Sequence, residues 1–200
     1  MKQEVWAEKS IDVLHDNGYR KIKGHRFARL INGVFQAVSF HGRKKDIYVW
    51  RNALPLSLPD LWPPMGWKNA AGRLPVEEGK ISLESEDAVG AVQTLLRDVF
   101  TERIMPIQDA TSSLQGLHDT LDEEFLPYAA FPKAFCMFQR GELEVGRDHL
   151  RKVIEDPLRE LQRPMLEELV SLADGDLRTA IDDLIEANIR KNRLSKLDRL

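Results

Sequence analysis

A chain of 200 residues, 42% of them hydrophobic and 30% charged, has the size and composition of one folded domain, which excludes the disordered and fibrous classes. Charged residues recur throughout MKQEVWAEKSIDVL and no long apolar run follows, so the sequence shows neither a signal peptide nor a membrane span and predicts a cytoplasmic protein. A single cysteine, Cys136, excludes an intramolecular disulfide and a multi-cysteine metal site.

Charge is distributed unequally along the chain. Residues 1–51 carry 11 Lys and Arg against 5 Asp and Glu, whereas residues 52–200 carry 18 against 27, which gives net charges of +6 and −9. A basic segment is typical of a surface that binds anions, although the solvated face of a sheet or helix has the same composition. Nucleic acid is therefore one predicted partner, and its predicted phosphate contacts are Arg20, Lys21, Lys23, Arg26 and Arg29.

The first quarter of the chain predicts a helix followed by an antiparallel sheet. Apolar residues recur at spacings of three and four over residues 3–16, which is typical of an amphipathic helix. The Asn32-Gly33 pair predicts a two-residue turn, because a type I′ turn needs positive φ at both central positions and these residues tolerate it best. Strands rich in aromatic and β-branched residues are predicted over residues 19–23, 27–31, 34–40 and 47–51.

A proline-rich segment, Leu54 to Pro75, follows the last of these strands and reads LPLSLPDLWPPMGWKNAAGRLP. It holds five of the ten prolines and two of the four tryptophans. Because each proline removes a backbone donor and disfavours helix at the preceding residue, the segment predicts a long irregular loop, and such loops are often functional. Residues 80–84 predict a short edge strand after it.

The remainder of the chain predicts helices. One begins near Asp87 and ends at Met105-Pro106, and another follows the capping-box sequence SSLQ at residues 112–115. Two more are joined tightly at Gly141, and shorter helices complete the C-terminus. The sequence therefore predicts an α+β fold, in which an antiparallel sheet of about four strands is packed by helices and is followed by a mostly helical C-terminal part.

The order of these elements resembles a bacterial family. A leading helix, then NGYRKIKGHRFARLINGVFQAVSF, a polar turn, DIYVWRNALPL and a later helix ending in IMPIQDATSSLQGL are similar to the domain of unknown function 4304 family over about residues 4–155. The chain has Tyr19 where the family usually has Phe. The resemblance implies an α+β domain over residues 1–156, of bacterial origin and without an assigned activity. Residues 157–200 lie outside the resemblance and are predicted to form a helical C-terminal extension packed on this domain. By analogy with members thought to lie beside toxin or mobile-element genes, it also implies an immunity-like or partner-binding role.

Residues that could carry chemistry are scattered along the chain. The histidines show no His-x-x-x-His spacing, so a metal site would have to be assembled by the tertiary fold, and no metal is predicted. No glycine-rich phosphate loop occurs, and Cys136 lies in the apolar stretch AFCMF, where burial raises the pKa of a thiol. The sequence therefore predicts no cofactor and no catalytic residue.

An acidic segment around His118 leaves one catalytic alternative open. His118 and Asp119 are adjacent, with Glu123 and Glu124 close behind, and adjacent helical residues are expected to point apart, which favours an exposed acidic face over an acid–base pair. A hydrolase would require His118, His149 and one or more acids to converge in a cleft. Only the tertiary fold decides whether they do.

The best candidate surface combines cationic and aromatic residues of the sheet and the proline-rich loop. Its members are the predicted partner-binding residues His41, Arg43, Trp50, Arg51, Trp62 and Trp67. Arg and Trp are the side chains most enriched in binding hot spots, although the tryptophans could equally fill the core and pin the loop. The leading interpretation is a non-catalytic bacterial module that binds another protein and no membrane; nucleic acid is the alternative partner, and the oligomeric state is left open.

Overall fold

The structure is a computed structural model, and it describes residues 12–24, 26–43, 46–59, 61, 80–82, 97–98, 100–121, 129–155, 162–192 and 194–197. Several predictions lie outside these residues. They include residues 3–11 of the first helix, the start of the helix near Asp87 and nearly all of the proline-rich segment beyond residue 59.

Five strands form one antiparallel sheet. They are β1 (Arg20–Lys23), β2 (Arg26–Ile31), β3 (Val34–Arg43), β4 (Asp46–Pro55) and β5 (Lys80–Ser82), and their order in space follows their order in the chain. Each strand pairs with the next in the antiparallel sense. The predicted sheet is confirmed, including the short strand near residue 80.

The turn between β2 and β3 has the predicted form. Asn32 and Gly33 have φ values of 46° and 78°, and Ile31 pairs directly with Val34 across them. This two-residue turn matches the twist of the strands and so fixes the register of the hairpin. The side-chain amide of Asn32 also donates to the carbonyl of Ser112 at 3.0 Å, which attaches the turn to the helical part of the chain.

Helices make up most of the remaining described structure. They are α1 (described over residues 12–16), α2 (Met105–Ala110), α3 (Leu114–Thr120), α4 (Ala130–Gln139), α5 (Leu143–Ile154), α6 (Arg163–Ser171) and α7 (Asp174–Lys191). The predicted α+β class is therefore confirmed. The predicted helix end at Met105-Pro106 is wrong, because a π-helical turn over Phe100–Ile104 runs directly into α2. Pro106 lies in the first turn of α2.

Both faces of the sheet are covered, as four consecutive buried residues in β2, Phe27 to Leu30, indicate. On one face, Leu30, Phe35 and Leu54 belong to a core cluster with Phe131 and Phe135 of α4. On the other face, buried side chains from the sheet, α3 and α4 form a second cluster that includes Val34, Ala53, Leu117, Cys136 and Met137. Helix α4 contributes to both clusters and lies at the centre of the packing.

The C-terminal helices pack on the sheet. Leu177 and Ile181 of α7 belong to the same core cluster as the sheet residues. The buried amide of Asn188 donates to the carbonyls of Leu56 and Leu58 at 2.8 and 2.7 Å, immediately after β4. Two hydrogen bonds from one buried amide fix α7 against this segment, because breaking either would leave a buried polar group without its partner.

Candidate functional site

Four of the six predicted partner-binding residues lie in strands β3 and β4. Trp62 and Trp67 lie outside the described residues. In the β3–β4 ladder, His41 pairs with Tyr48, Arg43 with Asp46, Trp50 with Ser39 and Arg51 with Val38. Arg51 is half-buried, and burial lowers the pKa of its guanidinium.

The basic residues of the first two strands fall into different environments. Lys21, Lys23 and Arg26 are exposed, and we call these three residues the cationic hairpin. Lys21 and Lys23 lie two positions apart in β1, and Lys23 pairs directly with Arg26 of β2 across the turn at Gly24. Three positive charges are therefore placed close together at one corner of the sheet.

Arg20 and Arg29, the other two predicted phosphate contacts, are held by the protein itself. Arg20 is half-buried and donates to the carbonyls of His15 and Tyr19 at 3.2 and 3.0 Å. Arg29 is only 7% exposed, and it donates to Oε1 of Gln36 at 2.7 Å and to the carbonyl of Asn17 at 3.0 Å. Arg29 is thus an interior residue and is not placed to contact a phosphate.

A buried polar network surrounds Arg29, and the sequence did not predict it. Gln36 is its cross-strand neighbour and donates from Nε2 to the carbonyl of Gln108 at 2.5 Å and to Oγ1 of Thr111 at 3.0 Å. The guanidinium of Arg29 lies 5.0 Å from the ring centroid of Tyr19, whose pKa is raised by burial. A glutamine in the apolar strand VFQAV, opposite an arginine, was the available signal for this network.

Helix α3 presents a histidine and a carboxylate in contact. Ser113 caps the helix by accepting from the backbone N–H of Gly116 at 3.0 Å, which places Gln115 and Asp119 one turn apart. Gln115 donates to Oδ1 of Asp119 at 2.6 Å, and Nδ1 of His118 lies 3.1 Å from the same oxygen. The expectation that His118 and Asp119 point apart is therefore wrong, because their side chains are long enough to meet.

The electrostatics of this contact define the tautomer of His118. Hydrogen bonds from Gln115 and then from His118 lower the pKa of the Asp119 carboxyl, which keeps it ionised near neutral pH. An ionised carboxylate only accepts hydrogen bonds, so Nδ1 of His118 carries the proton of their bond. In neutral His118 the lone pair is therefore on Nε2, where it can accept a proton or bind a metal ion.

The tertiary fold brings His149 of α5 beside His118. The ring centroids are 5.7 Å apart and the rings are inclined at 65°. This approach depends on the tight α4–α5 hairpin, where Gly141 has φ of 81° and Gly146 lies so close to the ring of Phe138 that a Cβ there would be 2.4 Å away. Two histidines and one acid thus converge, as the hydrolase alternative requires.

The described cavity lies away from these histidines. It has a volume of about 210 Å³, opens beside the Asn32-Gly33 turn, and is lined by Leu30, Ile31, Asn32, Gly33, Leu56, Gln139, Ile185 and Ile189. The polar side chains in this lining are already bonded, since Gln139 donates to the carbonyl of Gly33 and Asn32 to that of Ser112. The cavity therefore does not supply the cleft that catalysis at His118 and His149 would need.

Cys136 behaves as the sequence predicts. The side chain is fully buried, and burial raises the pKa of the thiol to about 12. A thiol that stays protonated at neutral pH is a poor nucleophile. The prediction of a raised pKa is confirmed.

The chain matches no family model, no curated protein and no solved structure. The resemblance to the domain of unknown function 4304 family therefore stays a prediction. Within the described ranges, no three His, Cys, Asp or Glu side chains are grouped around a common metal position. No helix in the described part of the chain is both long and apolar enough to cross a membrane.

Proposed function

We propose that the protein is a non-catalytic binding module and that the cationic hairpin binds an acidic segment of another protein. The observation that supports this proposal is the direct cross-strand pairing of Lys23 with Arg26. Like charges opposite one another destabilise a sheet, and Lys23 and Arg26 are both exposed. Carboxylates of a bound partner would remove this repulsion and gain charge-assisted hydrogen bonds.

Protection of a sheet edge is the competing explanation for these charges. Lysines on an edge strand prevent uncontrolled pairing with other chains, and β1 is at the edge of the described sheet. Arg26, however, belongs to β2, which is paired on both sides. Edge protection accounts for Lys21 and Lys23 on β1, whereas an anionic partner would also contact the exposed Arg26 on β2.

An acidic protein segment is favoured over nucleic acid. Specific nucleic-acid interfaces bury on the order of 1,000–2,500 Å² and are strongly positive. Here the predicted phosphate contacts Arg20 and Arg29 are half-buried and buried, and the other three, Lys21, Lys23 and Arg26, form a small exposed patch on a chain of net charge −3. A patch of this size suits a short acidic peptide better than a duplex or a long single strand.

The proposal is tested by removing the three charges together. In the variant Lys21→Gln, Lys23→Gln, Arg26→Gln, binding of a fluorescein-labelled oligoglutamate peptide, measured by fluorescence anisotropy at low salt, is expected to weaken at least about tenfold, since each lost charge contact is worth on the order of 1 kcal/mol. The matched control is Lys152→Gln, Arg178→Gln, Lys191→Gln, which removes the same charge from exposed helical positions. The control is expected to bind like the wild type.

The same assay separates the alternatives. Equal affinity of both triple variants for the peptide would mean that the hairpin is not the binding surface. A labelled oligothymidylate that binds more tightly than the peptide, with an affinity that falls steeply as salt is added, would favour the nucleic-acid alternative instead. Edge protection alone predicts a different outcome, namely aggregation of the hairpin variant without a change in peptide affinity.

Trp62 and Trp67, together with Arg43, are proposed to contact the apolar part of the same partner, because large aromatic side chains dominate interface energetics. Replacing all three with Ala is expected to abolish binding of a partner recovered with the wild-type protein and to leave the melting temperature nearly unchanged. Unchanged binding would remove the loop from the proposed surface and would leave the cationic hairpin unaffected.

A further inference from the structure

The cavity beside the Asn32-Gly33 turn lies where four parts of the chain meet. These parts are the turn itself, the segment after β4, the end of α4 and one side of α7, and the aliphatic walls are Leu30, Ile31, Leu56, Ile185 and Ile189. The volume of about 210 Å³ is far above the roughly 10–15 Å³ that one water molecule needs. The cavity therefore has room for a small organic molecule.

The polar groups of the lining are bonded within the protein. Gln139 accepts at Oε1 from the N–H and the hydroxyl of Ser57, both at 2.8 Å, and donates from Nε2 to the carbonyl of Gly33 at 3.1 Å. The same carbonyl accepts from the N–H of Leu56 at 3.0 Å. Water inside a protein needs about two to four polar partners, so largely aliphatic walls with engaged polar groups favour an apolar occupant.

Hydrogen bonds also hold the walls of the cavity in place. Asn188 lies between Ile185 and Ile189 in the sequence of α7 and donates to the carbonyls of Leu56 and Leu58 at 2.8 and 2.7 Å. Gln139 joins α4 to the hairpin turn so closely that a Cβ at Gly33 would lie 2.9 Å from its Nε2. Walls fixed in this way do not collapse into the space, and a ligand does not have to order them.

We infer that this cavity binds a small neutral apolar molecule of the size of one aromatic ring with a short alkyl chain. A cavity of about 150 Å³ lined by aliphatic and aromatic side chains takes up benzene, so about 210 Å³ admits a few more carbon atoms. No charged residue is among the described residues of the lining, and an ion would lose its hydration there without gaining a partner. The cavity and the cationic hairpin involve opposite ends of β2, so this site does not depend on the acidic partner proposed above.

The site is tested by titrating the full chain with ethylbenzene and following the backbone amides by nuclear magnetic resonance. Saturable shifts are expected at Gly33, Leu56, Ile185 and Ile189. Phenylacetate has a similar size but a negative charge, and it is expected to leave these amides unshifted. Shifts that do not saturate, or that spread over the whole surface, would overturn the inference and would leave an apolar side chain of a partner protein as the alternative occupant. Equal binding of phenylacetate would also overturn it.

A variant that fills the cavity locates the binding. Ile185→Phe adds a ring to one wall and is expected to weaken the affinity for ethylbenzene at least about tenfold, because the added ring and the ligand compete for the same space. The matched control is Val145→Phe, which adds a ring at a 44% exposed position of α5 and is expected to bind like the wild type. Equal affinity of folded Ile185→Phe and wild type would place the ligand elsewhere and refute the site. If Ile185→Phe fails to fold, the amide shifts of the wild type and the comparison with phenylacetate still decide.

Discussion

Two arginines of strand β2, Arg26 and Arg29, occupy opposite environments. Arg29 is buried, donates to Gln36 and lies over the ring of Tyr19. Arg26 is exposed and pairs with another cation, Lys23. The two arginines therefore differ in burial and in cross-strand pairing: Arg29 lies in the core beside an amide that accepts its hydrogen bond, whereas Arg26 lies at the surface opposite a like charge.

The largest loss of stability is expected from replacing the buried Arg29. Arg29→Met leaves Oε1 of Gln36 and the carbonyl of Asn17 without their donor inside the protein, and hydrogen bonds to a charged group contribute about 1.5–3 kcal/mol. The free energy of unfolding, measured by urea denaturation, is expected to fall by about 2–3 kcal/mol. Asp109 adds little, because it is 67% exposed and 3.8 Å away.

Arg26→Met on the same strand is the control for Arg29→Met. It is expected to change the free energy of unfolding by less than about 0.5 kcal/mol, as surface substitutions usually do. If both variants lost the same stability, the distinction between the two arginines would be wrong. Weaker binding of the oligoglutamate peptide is expected in Arg26→Met and not in Arg29→Met.

A smaller loss of stability is expected when Gln36, which accepts a hydrogen bond from Arg29, is replaced. Gln36→Leu keeps the shape of a fully buried side chain but removes the acceptor of the guanidinium and the donor to Gln108 and Thr111. Arg29 keeps its bond to Asn17, so the expected loss is about 1–2 kcal/mol by urea denaturation. The double variant Arg29→Met, Gln36→Leu is expected to lose less than the sum of the two single losses, because the residues share one bond. Strict additivity would show that they act independently.

The rate at which the buried Cys136 thiol is labelled gives an independent measure of how much Arg29 and Arg26 each contribute to stability. Cys136 is fully buried with a pKa of about 12, so a disulfide reagent at pH 8 is expected to label it only after the protein opens. Arg29→Met is expected to speed labelling by the same factor by which it raises the equilibrium constant for unfolding. Arg26→Met is expected to leave the labelling rate unchanged. Fast labelling of the wild type would show that α4 opens without global unfolding.

Residue types that specify local backbone structure predicted most of the sheet, but they predicted little of the candidate sites. The Asn32-Gly33 turn is specified by two residues that tolerate positive φ, and the strands around it follow from their composition. Arg26 and Arg29 could not be separated in this way, because β2 is buried on both faces and shows no simple alternation of polar and apolar residues. Their difference depends on pairing with β1 and β3.

The contact between His118 and His149, in the helical part of the chain, could not be predicted from the sequence either. His118 and His149 belong to different helices, and nothing in their spacing indicates that α3 and α5 pack together. The approach requires the glycines at 141 and 146, which the sequence marks as helix-related but does not connect to a histidine. A site built from side chains of separate elements is visible only after the elements are packed.

The smallest expected effect is a gain of stability at the cationic hairpin. Lys23→Glu replaces a like-charge pair with an opposite-charge pair across from Arg26, and such cross-strand pairs contribute about 0.2–1 kcal/mol. The free energy of unfolding is expected to rise by this amount at low salt, and the gain is expected to shrink at high salt because exposed charges are screened. Affinity for the oligoglutamate peptide is expected to fall in the same variant.

Lys152→Glu, at an exposed position of α5, controls for net charge. A loss of stability in Lys23→Glu, or a gain that does not depend on salt, would mean that Lys23 and Arg26 do not repel one another, and the hairpin would no longer need an acidic partner to explain its charge.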